Sequence, residues 1–417
     1  MKTAHHLILT TFVLAAFNLS GATLYVSLES SNPTSPYTNW ATAAHVIQDA
    51  VDASKDGDTV LVTNGIYATA SRDVFVLDAN HEPPDLVSMG LTRVVLTNSI
   101  RLESVNGPLV TTIVGGELTN EFGELTNSLR CVFMEANAAL SGFTLTSGGG
   151  YWHRLGGGVF CQGSAVLSNC VLIGNSAAFG GGVSGGTLYD CTVTRNLALS
   201  AMGKAGGRGG GAYGSTLYRC TVTNNSSQHG SELGGSGGGV ASCILYDCAL
   251  SGNFADHGGG ASSSTLHACR LTGNEAGSGI AQGSPGGGGG GAQASTLYNC
   301  IVTGNWSPLG GGTTSSSLYN CVVAGNSADE AGGVWLGLVY NCIVHSNSAT
   351  NFANYLSETV DHSCTTPLPT NGVGNIDADP RFVKAAAGDF RLRPDSPCID
   401  AGTNLSDIIT ADISGEF

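Results

Sequence analysis

The sequence predicts an all-β solenoid in which short strands form stacked coils of about 21 residues. One motif recurs eight times: leucine or valine, cysteine three residues later, leucine or valine two residues on, and asparagine after three more. Four of the seven intervals between its cysteines are 21 residues, and the others are 28, 29 and 31. Short β-branched runs alternate with glycine and asparagine, which suit tight turns, and no helical periodicity interrupts them.

Two positions of the motif are the same in all eight copies. The cysteines are Cys170, Cys191, Cys220, Cys248, Cys269, Cys300, Cys321 and Cys342, and the asparagines are Asn175, Asn196, Asn225, Asn253, Asn274, Asn305, Asn326 and Asn347. Six copies have a tyrosine two residues before the cysteine: Tyr189, Tyr218, Tyr246, Tyr298, Tyr319 and Tyr340. All extra length falls between the asparagine and the next glycine cluster, so we expect every insertion at one corner of the solenoid.

Residues 1–22 have the features of a secretory signal peptide. Lys2 precedes an apolar core at 7–17, and the small residues Ser20, Gly21 and Ala22 form a cleavage site. The apolar core is too short for a stable membrane anchor. The sequence therefore predicts a Sec-exported protein, secreted or at the cell surface (outer membrane or extracellular), with no transmembrane segment in the mature chain.

Residues 23–115 are predicted to form an N-terminal cap and the first rungs. Ala44, Ile47 and Ala50 have helical spacing within 41–53, and strands are expected at 59–62, 65–67, 94–96, 100–102 and 112–114. A cap is needed because a terminal rung exposes both its apolar core and an unpaired strand edge. The solenoid is predicted to run over 116–350. C-terminal rungs and a second cap are expected over 351–417.

Two motifs carry a resemblance to known proteins. The clusters Gly-Gly-Gly-Val at 237–240 and Gly-Gly-Gly-Ala at 258–261 alternate with Val-x-x-Asn at 193–196 and 302–305. The repeat resembles the right-handed parallel β-helix of the pectate-lyase-like superfamily, and it is similar to the repeats of polymorphic outer-membrane proteins. The segment 374–402 looks like a choice-of-anchor-type C-terminal segment. The resemblance implies a right-handed parallel β-helix with an N-terminal helical cap, but that fold hosts lyases, hydrolases, epimerases and adhesins.

The repeated cysteines are interpreted as an interior column of free thiols, since cysteine packs well as a small buried hydrophobe. Leucine and cysteine lie at positions of opposite parity, so the strand must kink between them if both face inwards. Disulfides between adjacent rungs and metal binding stay open as alternatives. The asparagines are interpreted as a structural ladder, because asparagine tolerates a left-handed turn and its amide can bond to the next rung. Cys364 and Cys398, outside the column, are the best candidates for a disulfide that fixes the C-terminal cap.

The corner insertions are the first candidate for a binding site. They span 147–156, 197–209, 226–237 and 275–288. Their candidate ligand-binding residues are Tyr151, Trp152, His153, Arg154, Lys204, Arg208, His229 and Glu232, with Gln282 in the last insertion. A tryptophan beside arginine and histidine is typical of sugar-binding surfaces, whereas tolerated insertion into glycine-rich loops is the simpler explanation.

Two acidic groups are weaker candidates. Asp190, Arg219 and Asp247 precede successive cysteines and would stack on one face, with the carboxylates about 9 to 10 Å apart. Together with His153 and Arg154 they are the catalytic candidates, although an ion-pair ladder is the simpler interpretation. Calcium is left open for the C-terminal acidic group Asp377, Asp379, Asp389, Asp395 and Asp400. No other cofactor or metal site is expected.

Net charge of -15 argues against nucleic acid and anionic membranes as partners. The repeated coils contain few carboxylates, whereas acid–base catalysis needs paired groups with shifted pKa values. The sequence therefore favours a non-catalytic adhesin-like scaffold that binds polysaccharide or cell-surface glycans. The alternative is a polysaccharide lyase or glycoside hydrolase acting on acidic polysaccharide.

Overall fold

The computed structural model describes residues 21–78, 85–119, 125–149, 155–199, 206–228, 234–277, 287–356 and 359–404. Successive coils pair with each other in parallel and in register, so the predicted parallel β-helix is confirmed. The apolar core is continuous along the stack. Within these ranges no helix is long and apolar enough to cross a membrane.

Each coil that contains a repeated cysteine passes through four short strands, of which the first carries the repeated tyrosine. This tyrosine series comprises Thr23–Val26, Thr59–Val62, Arg101–Ser104, Ala139–Ser141, Val166–Ser168, Thr187–Tyr189, Thr216–Tyr218, Ile244–Tyr246, Thr265–His267, Thr296–Tyr298, Thr313–Tyr319, Val334–Tyr340 and Thr359–Asp361. The valine sheet follows each cysteine and comprises Gly65–Tyr67, Thr111–Val114, Thr144–Thr146, Val171–Ile173, Thr192–Thr194, Thr221–Thr223, Ala249–Ser251, Arg270–Thr272, Ile301–Thr303, Val322–Ala324, Ile343–His345 and Cys364–Thr365.

The third strand leads into the insertion corner, and the fourth leads out of it. The corner sheet comprises Ser176–Ala177, Leu197–Ala198, Ser226–Ser227, Phe254–Ala255, Glu275–Ala276, Trp306–Leu309, Ser327–Glu330 and Ser348–Asn351. The return series comprises Arg72–Asp78, Asp85–Leu96, Gly116–Thr119, Leu125–Met134, Val159–Cys161, Val183–Ser184, Ala212–Tyr213, Val240–Ala241, Ala261–Ser262, Ala292–Gln293 and Tyr355–Leu356, and it merges with the tyrosine series in Thr313–Tyr319 and Val334–Tyr340.

The N-terminal cap is present, but its helix is shorter than predicted. An α-helix spans Ile47–Ala53 and buries Ile47, Ala50 and Val51 against the first rungs, and a 3₁₀ turn occupies Trp40–Thr42. The prediction of helix from residue 41 was wrong because Ala44 extends the sheet instead. Its N–H donates to the Tyr25 carbonyl, and its own carbonyl accepts from Ser27.

Left-handed residues make the kinks that the parity of leucine and cysteine required. The residue before each repeated cysteine has a positive φ, such as 53° at Asp190 and 50° at Arg219. A second left-handed residue precedes each repeated asparagine, such as Gly273 at 61°. The expectation that asparagine itself takes the left-handed turn was therefore wrong. The preceding residue turns the chain, and the asparagine side chain consequently points into the core.

The repeated asparagines form a buried hydrogen-bonded ladder. Asn274 Nδ2 donates to Asn305 Oδ1 at 3.0 Å and to the Leu250 carbonyl at 3.0 Å. Asn274 Oδ1 in turn accepts from the backbone N–H and the Nδ2 of Asn253. The same pattern links Asn175 through Asn347 and ends at Asn354. The ladder therefore satisfies backbone groups that the corner leaves inside the solenoid.

The repeated cysteines are buried free thiols that bridge neighbouring rungs. The N–H of Cys300 donates to Cys321 Sγ at 3.4 Å, and Cys300 Sγ donates to the Tyr298 carbonyl at 3.2 Å. Burial raises the pKa of the Cys300 thiol, which keeps its S–H proton available as a donor. Serine makes the same type of hydrogen bond at the corner between the return series and the tyrosine series, where Ser264 Oγ donates to the Ser262 carbonyl at 2.8 Å.

The repeated tyrosines form a continuous stack on the outer face of the solenoid, and His267 occupies one place in it. Neighbouring ring centroids are 4.8 to 5.6 Å apart, and the rings are within 14° of parallel. His267 stacks between Tyr246 and Tyr298. Since each ring face contacts the next ring, this stack leaves little ring face free for a ligand.

Replacing His267 by tyrosine should reduce the sensitivity of the fold to acid. Burial lowers the pKa of His267 below its ordinary value of about 6.5, so the unfolded chain binds the proton more readily. Above about pH 7.5, protonation of His267 does not affect the free energy of unfolding. As the pH falls through 6.5 towards the native pKa, protonation of the unfolded chain lowers that free energy. Thermal denaturation of wild type and His267→Tyr from about pH 7.5 to pH 5 measures the difference. Coincident pH profiles would contradict the assignment.

Candidate functional site

Most residues predicted for the corner site lie outside the described residues. Tyr151, Trp152, His153, Arg154, Lys204, His229, Glu232 and Gln282 are all in this group. The described flanks of the four insertions do lie at one corner, between the corner sheet and the glycine clusters. The described ends of the four insertions therefore share one corner. The ligand-binding role of the residues within the insertions stays a prediction.

Arg208 is the one predicted ligand residue that the structure describes. It is exposed and forms parallel bridges with Phe179 on one side and Ser236 on the other, along the edge of the insertion corner. The Phe179 ring packs against Tyr213, with centroids 5.2 Å apart. Arg208 therefore places a cation on an edge that also carries aromatic side chains.

The base of the third insertion is braced by a buried carboxylate. Asp256 Oδ2 accepts a 2.7 Å hydrogen bond from the N–H of Gly235. His257 follows it and is half-buried, and burial lowers the pKa of its imidazole. A Cβ on Gly234 would lie 3.0 Å from the His257 ring, so only glycine fits beside it. Asp256 and His257 thus fix the chain where the insertion returns to the solenoid.

Two exposed aromatic side chains stand beside the insertions on the corner sheet. Phe254 is 39% exposed and Trp306 is 40% exposed. Glu275 lies between them, paired with Phe254 on one rung and with Trp306 on the next, and it is also exposed. The two aromatic positions are therefore about 9 to 10 Å apart. We name these three residues the aromatic edge.

The aromatic edge adjoins the longest insertion. A Cβ on Gly277 would lie 3.4 Å from Phe254 Cζ, so the phenyl ring lies beside Gly277, the last residue of its described range. Unlike the tyrosine stack, Phe254 and Trp306 are separated by a rung that carries no ring. Their faces can therefore take a ligand, and the Glu275 carboxylate can accept hydrogen bonds from it.

Asp190 and Arg219 form an exposed ion pair. Arg219 Nε and Nη2 donate to the two carboxylate oxygens of Asp190, each at 2.8 Å. The hydrogen bond from Arg219 lowers the pKa of Asp190, so this carboxylate stays ionised. Asp247 lies on the next rung and contributes to the raised pKa of Arg219. Asp190 and Arg219 therefore form one ion pair across adjacent rungs, and a catalytic role for this group stays a prediction.

The C-terminal acidic residues do not converge. Asp389 is paired with Arg391, which lowers the pKa of Asp389 to about 2, and Asp395 is paired with Arg381 at 2.7 Å. Across the described ranges no three histidine, cysteine or acidic side chains are grouped so that they could hold a metal ion. Calcium binding by this segment therefore gains no support from the described residues.

Cys364 and Cys398 are free thiols in this structure, and both line one small cleft. Interaction with Cys398, together with burial, raises the pKa of the Cys364 thiol, and interaction with Cys364 lowers the pKa of Cys398. The predicted disulfide stays a prediction, and the structure brings its two partners together.

Sequence reasoning did not identify the aromatic edge, although a signal was present. Phe254 and Trp306 each directly follow a repeated asparagine, at a position where the other copies carry serine, leucine or glutamate. Aligning the residue after the asparagine would have shown two aromatic side chains on one column.

Comparisons with known proteins show no family for this chain. A scan against protein-family models and a search of curated proteins found no match. Among solved structures, the chain is similar to pectate lyase Pel9A, with a TM-score of 0.45, 12% identity and 93% of each chain covered. It is also similar to the A-module of the Azotobacter vinelandii mannuronan C-5 epimerase AlgE4, with a TM-score of 0.39, 13% identity, and coverage of 84% of this chain and 94% of that chain. At these values the likeness carries no inference about a ligand or a reaction.

Proposed function

We propose that this chain is a non-catalytic scaffold that binds extended glycans, exported to the cell surface or the extracellular space. The aromatic edge is the observation that carries the proposal. A sugar ring presents C–H groups on its faces and hydroxyls at its rim, so it stacks on an exposed aromatic face and bonds to a neighbouring carboxylate. Phe254 and Trp306 offer two such faces along one line, with Glu275 between them.

The surrounding surface supports an elongated ligand. The edge runs along the stacking direction, and Arg208 lies at the rim of the same corner. The predicted ligand-binding residues of the insertions, Trp152 among them, are expected at the same corner on other rungs. A repeating polymer can therefore contact several rungs at once, which multiplies individually weak contacts.

The non-catalytic part is supported by the ionised state of two described carboxylates, Asp190 and Asp389. Glycoside hydrolysis needs one carboxylic acid and one carboxylate across the scissile bond. Asp190 is held ionised by Arg219, and Asp389 by Arg391. His153 and Arg154 stay the catalytic candidates for the alternative, a polysaccharide lyase or hydrolase.

Trp306→Ala should weaken glycan binding about tenfold, because it removes one stacking face and its apolar contact area. The test is a glycan array with the secreted protein, followed by titration of the best polysaccharide. Phe75→Ala is the matched control, since Phe75 is 57% exposed on a distant strand. Unchanged affinity in Trp306→Ala would show that the aromatic edge is not part of the glycan-binding site. Loss of binding in Trp152→Ala would then place the glycan-binding site in the first insertion.

The same preparations should be assayed for unsaturated and reducing products from acidic polysaccharides, with and without calcium. Binding without product supports the scaffold. Product formation would overturn the non-catalytic proposal and make His153, Arg154 and Asp190 the next residues to substitute. N-terminal sequencing of the secreted chain tests export, with Thr23 expected as its first residue.

A further inference from the structure

The C-terminal hairpin covers part of the outer face of the valine sheet and leaves a cavity there. The hairpin consists of the antiparallel strands Phe382–Lys384 and Asp389–Leu392, joined by the 3₁₀ turn Ala385–Ala387 and left-handed Gly388. The cavity has a volume of about 920 Å³ and is lined by both the hairpin and the sheet. Sites for small molecules have volumes of about 300 to 1,000 Å³.

The floor of the cavity is apolar. Ile301, Val322 and Ile343 lie in register on successive strands of the valine sheet, with half-buried side chains on its outer face. Earlier rungs carry Val171, Thr192, Thr221 and Ala249 in the same column. Three consecutive branched aliphatic side chains therefore occur in this column where the hairpin covers it. Phe390 and Leu392 line the cavity from the hairpin side.

Arg270 supplies a positive charge at one end of this floor. It precedes Ile301 in the same column, and its Nη1 lies 4.0 Å from where a Cβ on Gly388 would be. Its guanidinium therefore reaches the turn of the hairpin. Among the residues that the structure describes, its side chain has no hydrogen-bond or ion-pair partner.

The other charges in the cavity lining cancel. Asp389 accepts from Arg391 Nε at 2.9 Å and from Arg391 Nη2 at 2.7 Å. Arg270 thus leaves the cavity with a net positive charge, on a chain whose net charge is -15. An apolar floor that ends at a guanidinium without a partner is complementary to an amphipathic anion.

We propose that this cavity binds a small organic carboxylate with an apolar body. The carboxylate pairs with the Arg270 guanidinium, which can donate two parallel hydrogen bonds to it. The apolar body lies over Ile301, Val322 and Ile343, beneath Phe390. The site is on a different face from the aromatic edge, and the proposal is independent of glycan binding.

Calorimetric titration of the full chain with decanoate and with uncharged decanol tests the proposal. Decanoate should bind, and decanol should bind at least tenfold more weakly, because a charged hydrogen-bond pair is lost. Arg270→Gln should weaken decanoate binding at least tenfold. Arg101→Gln is the control, since Arg101 is an exposed arginine on the tyrosine series. Val322→Thr keeps the shape of the floor and should weaken both ligands several-fold.

Three results would overturn the proposal. The first is no decanoate binding to the wild-type chain. The second is equal affinity for decanoate and decanol, which would make the cavity an unselective apolar surface. The third is a self-associating chain whose dimer dissociates in Arg270→Gln, which would make a second copy the occupant.

Discussion

Asn274→Ala should destabilise the solenoid by about 3 to 5 kcal/mol. Asn274 is 1% exposed, and its side chain makes four hydrogen bonds that link three rungs. Alanine would leave the Asn253 N–H buried without its acceptor, at about 1 to 3 kcal/mol, and would remove the amide donor from the Leu250 carbonyl, which stays in the strand ladder. Urea unfolding followed by far-UV circular dichroism measures the loss of free energy.

Asn299→Gly is the matched control for this substitution. Asn299 is half-buried and left-handed, with a φ of 53°, a conformation that glycine adopts without strain. Its substitution should change the free energy of unfolding by less than about 0.5 kcal/mol. An Asn274→Ala variant within about 1 kcal/mol of wild type would show that water or relaxation of the corner replaces the ladder.

The regular part of the fold was predictable because one physical unit is repeated. Each copy must bury the same leucine, cysteine and valine, so parity alone required the kink that the structure places at Asp190 and Arg219. The same logic placed the insertions at one corner. Assigning the left-handed turn to asparagine failed because asparagine suits two roles equally well, a left-handed turn and a buried hydrogen-bonding amide. Only the backbone shows that the preceding residue turns and that the amide points inwards.

The candidate binding surfaces were less predictable, because they depend on outward positions that the fold does not constrain. The column of Phe254 and Trp306 also holds serine and leucine, so no single copy shows the pattern. The cavity beside Arg270 needs the hairpin at 382–392, which lies outside the repeat. Nothing in the periodicity indicates which face such a segment covers.

Oxidation of Cys364 and Cys398 to a disulfide should stabilise the C-terminal segment by about 3 kcal/mol, since it closes a loop of intermediate length in the unfolded chain. The two residues already line the same small cleft. The lowered pKa of Cys398, which is also the more exposed of the two, favours it as the attacking thiolate. Glutathione disulfide, a two-electron oxidant, would accept the electrons of both thiols. Intact mass and peptide mapping should show the loss of two hydrogen atoms at this pair.

The expected protection is local, because a solenoid unfolds in units linked only to their neighbours. Limited proteolysis should cleave within 365–397 faster in the reduced chain than in the oxidised chain, and a Cys364→Ser and Cys398→Ser double variant should match the reduced chain under both conditions. Cys300→Ser is the control, since Ser363 already occupies the rung after Cys342 in the same column, and the terminal pair is left intact. If all 13 thiols still react after exposure to glutathione disulfide, the pair is a thiol contact and the cap is held by packing alone.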